Sequence, residues 1–165
     1  MAARTPMAER EPVVRRCATL MTAARRLGVP ILVSEQYPKG LGATVPELAA
    51  LASPAETVAK LAFSGAAEPA LAARIDALAP RRQAVVCGIE AHVCVLQTAL
   101  GLAARGFDVA VATDATSSRK PEDRDVAPRR LAAAGVTPVT TEMVVFEWLA
   151  RAGTPAFREL SALIR

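Results

Sequence analysis

This sequence predicts an α/β fold in which helices cover a mainly parallel sheet, on three observations. Short apolar runs of strand length alternate with longer runs of helical period. The helical runs stop at glycines, clearest at Gly28, Gly106 and Gly135. The segments between strands are long enough to carry the crossovers that parallel pairing requires. At 165 residues and 52% hydrophobic content, the chain can bury one substantial core and reads as a single domain, residues 1–165.

Taken in order, Val13, Val14, Cys17, Leu20, Met21, Ala24 and Leu27 recur at helical spacing, and Gly28 ends that helix. Pro30 to Ser34 reads as a short buried strand. The run Glu35 to Thr44 carries Pro and Gly and reads as a loop. Pro46 to Leu51 fits a short helix, Thr57 to Lys60 a strand and Glu68 to Leu78 a helix. The strand Gln83 to Ile89 is followed by a helix from about Val93 to Arg105 and a strand from Phe107 to Thr113. Asp114 to Pro121 reads as a loop. Glu122 to Ala134 is helical in pattern, but Pro128 inside it predicts a kink or break, because proline removes a donor and crowds the preceding turn. Val136 to Thr140 is the last strand, and Glu142 to Ala152 and Pro155 to Ile164 are the last helices.

Composition excludes several functions. No apolar run reaches the ~18 to 20 residues of a membrane span. The start, Met1 to Pro12, lacks the apolar core of a signal peptide, so a cytoplasmic protein is expected. Cys17, Cys87 and Cys94 form no C-x-x-C pair and leave one thiol over in any disulfide scheme, which suits a reducing compartment. With His92 the one histidine, a structural zinc site is not expected. The net charge of +4 comes from scattered arginine pairs mixed with acids, and aromatic residues make up 4% of the chain, so no nucleic-acid partner is expected.

The segment Gln83 to Gln97 carries the most chemistry. It is an apolar run, a short polar turn and a new helical run, and it puts Cys94 where a buried strand hands over to a helix. Helix N–H groups without partners and the positive end of the helix dipole face that turn and stabilise a thiolate, the form that attacks. From this segment alone, a nucleophile and a buried structural cysteine fit equally. Ligands of parallel sheets bind beyond the carboxyl ends of the strands. Three groups fall at such ends: Glu35 to Tyr37, Lys60 to Ser64 and Glu90 to Cys94.

The stretch G-I-E-A-H-V-C-V-L-Q-T-A-L, Gly88 to Leu100, resembles the nucleophile motif of the isochorismatase-like cysteine hydrolases. V-S-E-Q-Y-P-K-G-L-G, Val33 to Gly42, and A-T-D-A-T-S-S-R, Ala112 to Arg119, are similar to the isochorismatase domain-containing protein subgroup, as is T-E-M-V-V-F-E-W-L-A near the end. The resemblance implies a Rossmann-like three-layer α/β/α fold and a Cys, Lys and Asp triad. It makes Cys94 the nucleophile, attacking a carbonyl carbon to give a thioester that water hydrolyses. Lys60, in V-A-K-L-A-F-S, matches the lysine that favours the thiolate; read without the family it is an exposed lysine after a strand. Backbone N–H groups of Ala91 and Cys94 would form the oxyanion hole, and a cis peptide is implied at Ile89–Glu90. The expected substrate is a small carbonyl compound, an amide in particular, with no cofactor and no metal. A homo-oligomer is expected, since relatives commonly self-associate.

The triad aspartate has no match. The family places it in a D-x-Q segment at the end of a first, central strand, and Met1 to Pro12 holds no Asp and no apolar strand. The expected fold therefore lacks that strand, through a start placed too far downstream or a shortened piece, with a truncated paralogue as the alternative. Such a paralogue would be a binding or oligomer-forming protein.

No other residue replaces that base. Asp114 lies at a strand end, where capping is its expected work. His92 is either a base for Cys94 or a polar residue satisfying the elbow, and Glu90 sits beside it. Glu35, Gln36 and Tyr37 are candidates for substrate contact or for a structural loop, and Phe63 for lining the pocket or for the core. Cys17 and Cys87 read as packing.

Overall fold

The computed structural model describes Met7 and residues 9–164. The first helix, α1 (Arg10–Leu27), buries Val13, Cys17, Leu20, Ala23 and Ala24 along one stripe. It ends where Gly28 adopts φ 69, and the N–H of Val29 closes back on the carbonyl of Ala24 at 2.9 Å. Of the segment Met1 to Pro12, Met1 to Pro6 and Ala8 lie outside the described residues, and Arg10 onward is helix rather than strand.

The strand β1 (Val33–Gln36) starts and ends later than predicted. Its parallel register with β2 (Thr57–Lys60), from Val33↔Thr57 to Gln36↔Lys60, takes Glu35 and Gln36 into the ladder. Alternation along the strand then sends those two side chains to opposite faces. What read as a loop contains one helical turn, α2 (Pro38–Leu41), started by a proline whose missing N–H costs nothing at that position. The short helix α3 (Pro46–Ala49) and a 3-10 turn at Pro54–Glu56 lead into β2.

After β2, a 3-10 turn at Gly65–Ala67 precedes α4 (Pro69–Asp76). The strand β3 (Gln83–Ile89) has its predicted bounds and runs into a π-helical turn, Ala91–Val95, continued by α5 (Leu96–Ala104). The strand β4 (Asp108–Ser117) starts one residue later than predicted and ends four residues later. Its pairing with β3 jumps from Val86↔Val111 to Gly88↔Thr116, so Ala112 to Ala115 stand against Cys87 as a bulge in this ladder, while Ala112 stays paired with Val139 of β5. Apolar periodicity carries no sign of such an excursion, because Asp114, Thr116 and Ser117 are polar and Ala115 is small.

The helix α6 (Pro121–Ala133) runs unbroken through Pro128, against the predicted break. Ala127 and Leu131, buried on either side of the proline, hold that stretch in helical geometry. The chain finishes with β5 (Thr137–Val139), α7 (Thr141–Leu149) and α8 (Pro155–Ser161).

All pairings are parallel, in two ladders: β1 with β2, and β3 with β4 with β5. Among the described residues β1 and β3 have a partner on one side only, so the sheet carries the expected interruption. Helices cover both faces of the larger ladder. On one face Val109 and Val111 pack with Val95, Ala99 and Leu102 and with Leu131 of α6. On the other, Ala112 and Ala115 meet Val13, Cys17 and Leu20 of α1 and Val144 of α7. Leu20 also packs in one cluster with Val45 and Leu48, so α1 links the larger ladder to α3, a helix in the connection from β1 to β2. Among the described residues no helix is long and apolar enough to cross a membrane.

Candidate active site

Parallel strands end on one rim, and β1, β2 and β3 deliver Gln36, Lys60 and the Cys94 turn there. Gln36 and Lys60 close their strands in register. Lys60 is 4% exposed, rare for a lysine, and its three N–H donors go to Gln36 Oε1 and, at 2.9 Å each, to the carbonyls of Ala62 and Phe63. Burial pulls the Lys60 pKa below 10.5, and the neighbouring Cys94 sulfur and Glu68 carboxylate pull it back up.

Cys94 is partly exposed, and its thiol donates to Gln36 Oε1 at 3.7 Å. One carboxamide oxygen thus receives both the ammonium and the thiol. Gln36 Nε2 donates to the Leu61 carbonyl at 2.8 Å, which fixes which end of the amide faces inward. The loop after Lys60 is fastened to the helix after Cys94: Gly65 N donates to Thr98 Oγ1 at 2.7 Å and Ser64 Oγ to the Gln97 carbonyl at 3.1 Å.

The turn starts at Ala91, and Val93 N and Val95 N both bond the Glu90 carbonyl, at 3.2 and 3.1 Å. A π-type turn opens the first helical residues wider than an α-turn does, and such turns are frequent at functional sites. The peptide Ile89–Glu90 is cis. Gly88 has φ 111, a conformation that side-chain-bearing residues rarely adopt.

The other candidates divide into two groups. His92 Nδ1 contacts Ser118 Oγ at 2.9 Å, and its Nε2 lies 3.5 Å from Glu90 and 3.6 Å from Asp123. Glu90 Oε1 forms an ion pair with Arg119 Nε at 2.7 Å. Both ring nitrogens therefore face partners other than the Cys94 sulfur, and the pair sits at the elbow with the end of β4 and the start of α6. Sequence reasoning passed over Ser118, Arg119 and Asp123. Their one signal was that Ser118 and Arg119 close the stretch Ala112 to Arg119, which resembles the isochorismatase domain-containing subgroup.

Glu35 points away from Gln36. It accepts from Thr44 N at 2.7 Å and lines a separate cleft of about 410 Å³ with Val33, Thr44 and Thr57. Tyr37 and Phe63 rim the site, 50% and 54% exposed, and Phe63 reaches Lys60 through its carbonyl. Asp114 caps α7: its Oδ1 accepts from Thr141 N at 2.8 Å and from Thr141 Oγ1 at 3.0 Å, and Arg16 lies 3.6 Å from its other oxygen. Cys17 donates to the Ala115 carbonyl at 3.3 Å in the core beside Cys87, and the hydrogen bond with Cys87 and burial push its thiol well up. Among the described residues no group of three or more His, Cys, Asp or Glu is placed to hold a metal.

Comparison with known proteins places these features in context. The isochorismatase domain family matches residues 1–143. Isochorismatase domain-containing protein 1 of Danio rerio is 43% identical over 150 residues, covering 88% of this chain and 51% of that protein. Isochorismatase domain-containing protein 2 of Bos taurus is 40% identical over 153 residues, covering 93% of this chain and 73% of its own length. The chain thus spans about half the length of the first relative and about three quarters of the second. Among solved structures, a protein named MAR1 ribonuclease from Caenorhabditis elegans superposes with TM-score 0.88 at 36% identity, over 96% of this chain and 81% of that one. The YcaC gene product of Escherichia coli, described as an octameric hydrolase of unknown specificity, has TM-score 0.86 at 23% identity, over 96% of this chain and 79% of its own, and shares the fold.

Proposed function

This chain belongs to the isochorismatase domain family, which supports a hydrolase-type function, and on that premise we propose that it is a metal-free cysteine hydrolase acting on a small carbonyl compound, an amide in particular. The single observation that carries this reading is the buried Lys60 ammonium beside a partly exposed Cys94 at the mouth of a strand-to-helix turn.

In this mechanism the Cys94 sulfur, having given up its proton, attacks the carbonyl carbon. The developing oxyanion is taken by the N–H groups of Ala91 and Cys94 at the start of the turn. The carbon–nitrogen bond breaks, the leaving nitrogen takes up the proton that the thiol gave up, and a thioester remains on Cys94. Water then cleaves the thioester, releasing the acid and returning the thiol. Lys60 favours the thiolate by its charge. Gln36, Tyr37, Phe63, Glu90 and His92 surround the substrate in this reading, whereas Glu35 serves the neighbouring loop.

Incubation with iodoacetamide, followed by peptide mass spectrometry, tests the nucleophile. Cys94 is expected to react at least about tenfold faster than Cys17 or Cys87 at neutral pH, and equal labelling of the three overturns the reading. Any amide hydrolysis found in a substrate panel must vanish in Cys94→Ala.

A second reading rests on the aspartate that the family's triad requires: the first aspartate in this sequence is Asp76, and its carboxylate is held by Arg105. On that reading the chain is a catalytically impaired member that binds ligand or assembles. Ordinary thiol reactivity at Cys94 together with retained ligand binding would favour it. RNA belongs in the panel because of the name of the Caenorhabditis elegans neighbour; binding that does not weaken with salt, or none at all, ends that branch. Self-association, in the manner of the octameric neighbour, and a cytoplasmic location complete the proposal.

A further inference from the structure

Gln36 lies between the two groups on which the proposed reaction depends, and its carboxamide has one orientation open to it. Turning the amide over would place Oε1 against the Leu61 carbonyl and Nε2–H against the Lys60 ammonium, exchanging two hydrogen bonds for two repulsive contacts. The oxygen therefore faces the Cys94 sulfur, 3.7 Å away, and accepts its S–H. A thiolate has no proton to donate, so ionising Cys94 would set a negative sulfur against that same oxygen. Lys60 does not depend on Gln36 for its place, because the Ala62 and Phe63 carbonyls also hold it.

We infer that Gln36 is a positioning residue that restrains the nucleophile: its carboxamide oxygen occupies one Lys60 donor and accepts the hydrogen bond from the Cys94 thiol, and so opposes loss of that proton. Lys60 and Gln36 thus act on the sulfur with opposite sign. Of the other charged groups around the trio, Glu68 acts on Lys60 through its charge and not on the Gln36 amide. Glu68, at the start of α4, accepts from Leu61 N at 3.2 Å, and Glu90 and His92 of the turn engage Arg119, Ser118 and each other.

This inference rests on the cysteine-hydrolase reading, and the test separates the two. Iodoacetamide alkylation of Cys94 is followed by mass spectrometry across pH in the full chain, in Gln36→Leu, in Gln36→Glu and in Lys60→Met, with circular dichroism confirming that each is folded. Gln36→Leu removes the acceptor and frees a Lys60 donor for the sulfur. Its alkylation at neutral pH is expected to rise about tenfold, with the pH profile moving to lower pH. Gln36→Glu sets a carboxylate beside the sulfur, so its alkylation is expected to fall and its profile to move to higher pH. A residue that merely braces the fold would shift both variants the same way. Profiles for the two Gln36 variants that coincide with the parent, or move together, overturn the inference while leaving the nucleophile in place if Lys60→Met slows Cys94. If Cys94 in the parent chain reacts no faster than Cys17 or Cys87 and Lys60→Met changes nothing, the hydrolase reading itself falls.

Discussion

Lys60 commits every donor it has inside the protein, and that settles what its charge can do. An ammonium fixed by Gln36 Oε1 and two carbonyls cannot swing out to solvent, so its field acts steadily on the neighbouring sulfur. Lys60→Met preserves most of the buried stem and removes the charge. It is expected to slow alkylation of Cys94 at neutral pH by about tenfold, the effect of one pH unit in thiolate availability. Thr98 illustrates how far such positioning extends. It never approaches the sulfur, yet it accepts the Gly65 N–H and so ties the lysine loop to the helix that follows Cys94. Thr98→Val is expected to cost about 1 kcal/mol by chemical denaturation, leaving the Gly65 donor unpaired. The residue types at the site were readable from strand ends alone. Their hydrogen bonds were not, because which of Glu35 and Gln36 faces Cys94 depends on where β1 begins, and a register shift of one residue would exchange them.

Among the elements, α1 and the turn before β2 are joined by one well-formed contact. Arg25 meets Glu56 with both guanidinium nitrogens, at 2.7 and 2.8 Å, and Glu56 also accepts from the Ser53 N–H. The Arg25 hydrogen bond, followed by that from Ser53, lowers the Glu56 pKa from 4.5 to about 2. A carboxylate whose value is depressed on folding contributes stability that is present above its unfolded value and lost as pH falls through its folded one. The melting temperature of the parent chain is therefore expected to fall between pH about 4.5 and about 2 in part through this group. Glu56→Gln should be less stable than the parent at neutral pH and should close that gap in acid; a gap that stays constant with pH would count against the assignment. At this scale α1, β2 and β3 were legible because their apolar spacing is undisturbed and Gly28 marks a clear stop. The extension of β4 and the continuity of α6 were not. The one depends on a partner strand resuming its ladder after an excursion, and the other on buried neighbours overriding the local cost of Pro128.

For the whole molecule, the interruption of the sheet puts unusual weight on α1. The two ladders share no backbone pairing among the described residues, and the cluster of Leu20 with Val45 and Leu48 on one side and Ala112 and Ala115 on the other spans the division. Leu20→Ala is expected to cost about 3 kcal/mol in denaturant unfolding, as a large-to-small change at a buried site. It should also slow Cys94 alkylation, because Lys60 and Cys94 sit on opposite ladders. A variant destabilised by that amount with unchanged reactivity would show that the rim contacts alone hold the site together. By itself the sequence determined the alternation of strands and helices, the family, and the two residue types, lysine and cysteine, that carry the proposed chemistry, because periodicity, stop signals and spaced motifs are local properties. Only the tertiary structure decided that Gln36 stands between Lys60 and Cys94, that His92 is held by Ser118 among carboxylates, and that one helix bridges a divided sheet. Those relations join residues far apart in the chain, and parallel register and packing bring them together where no short-range pattern records them.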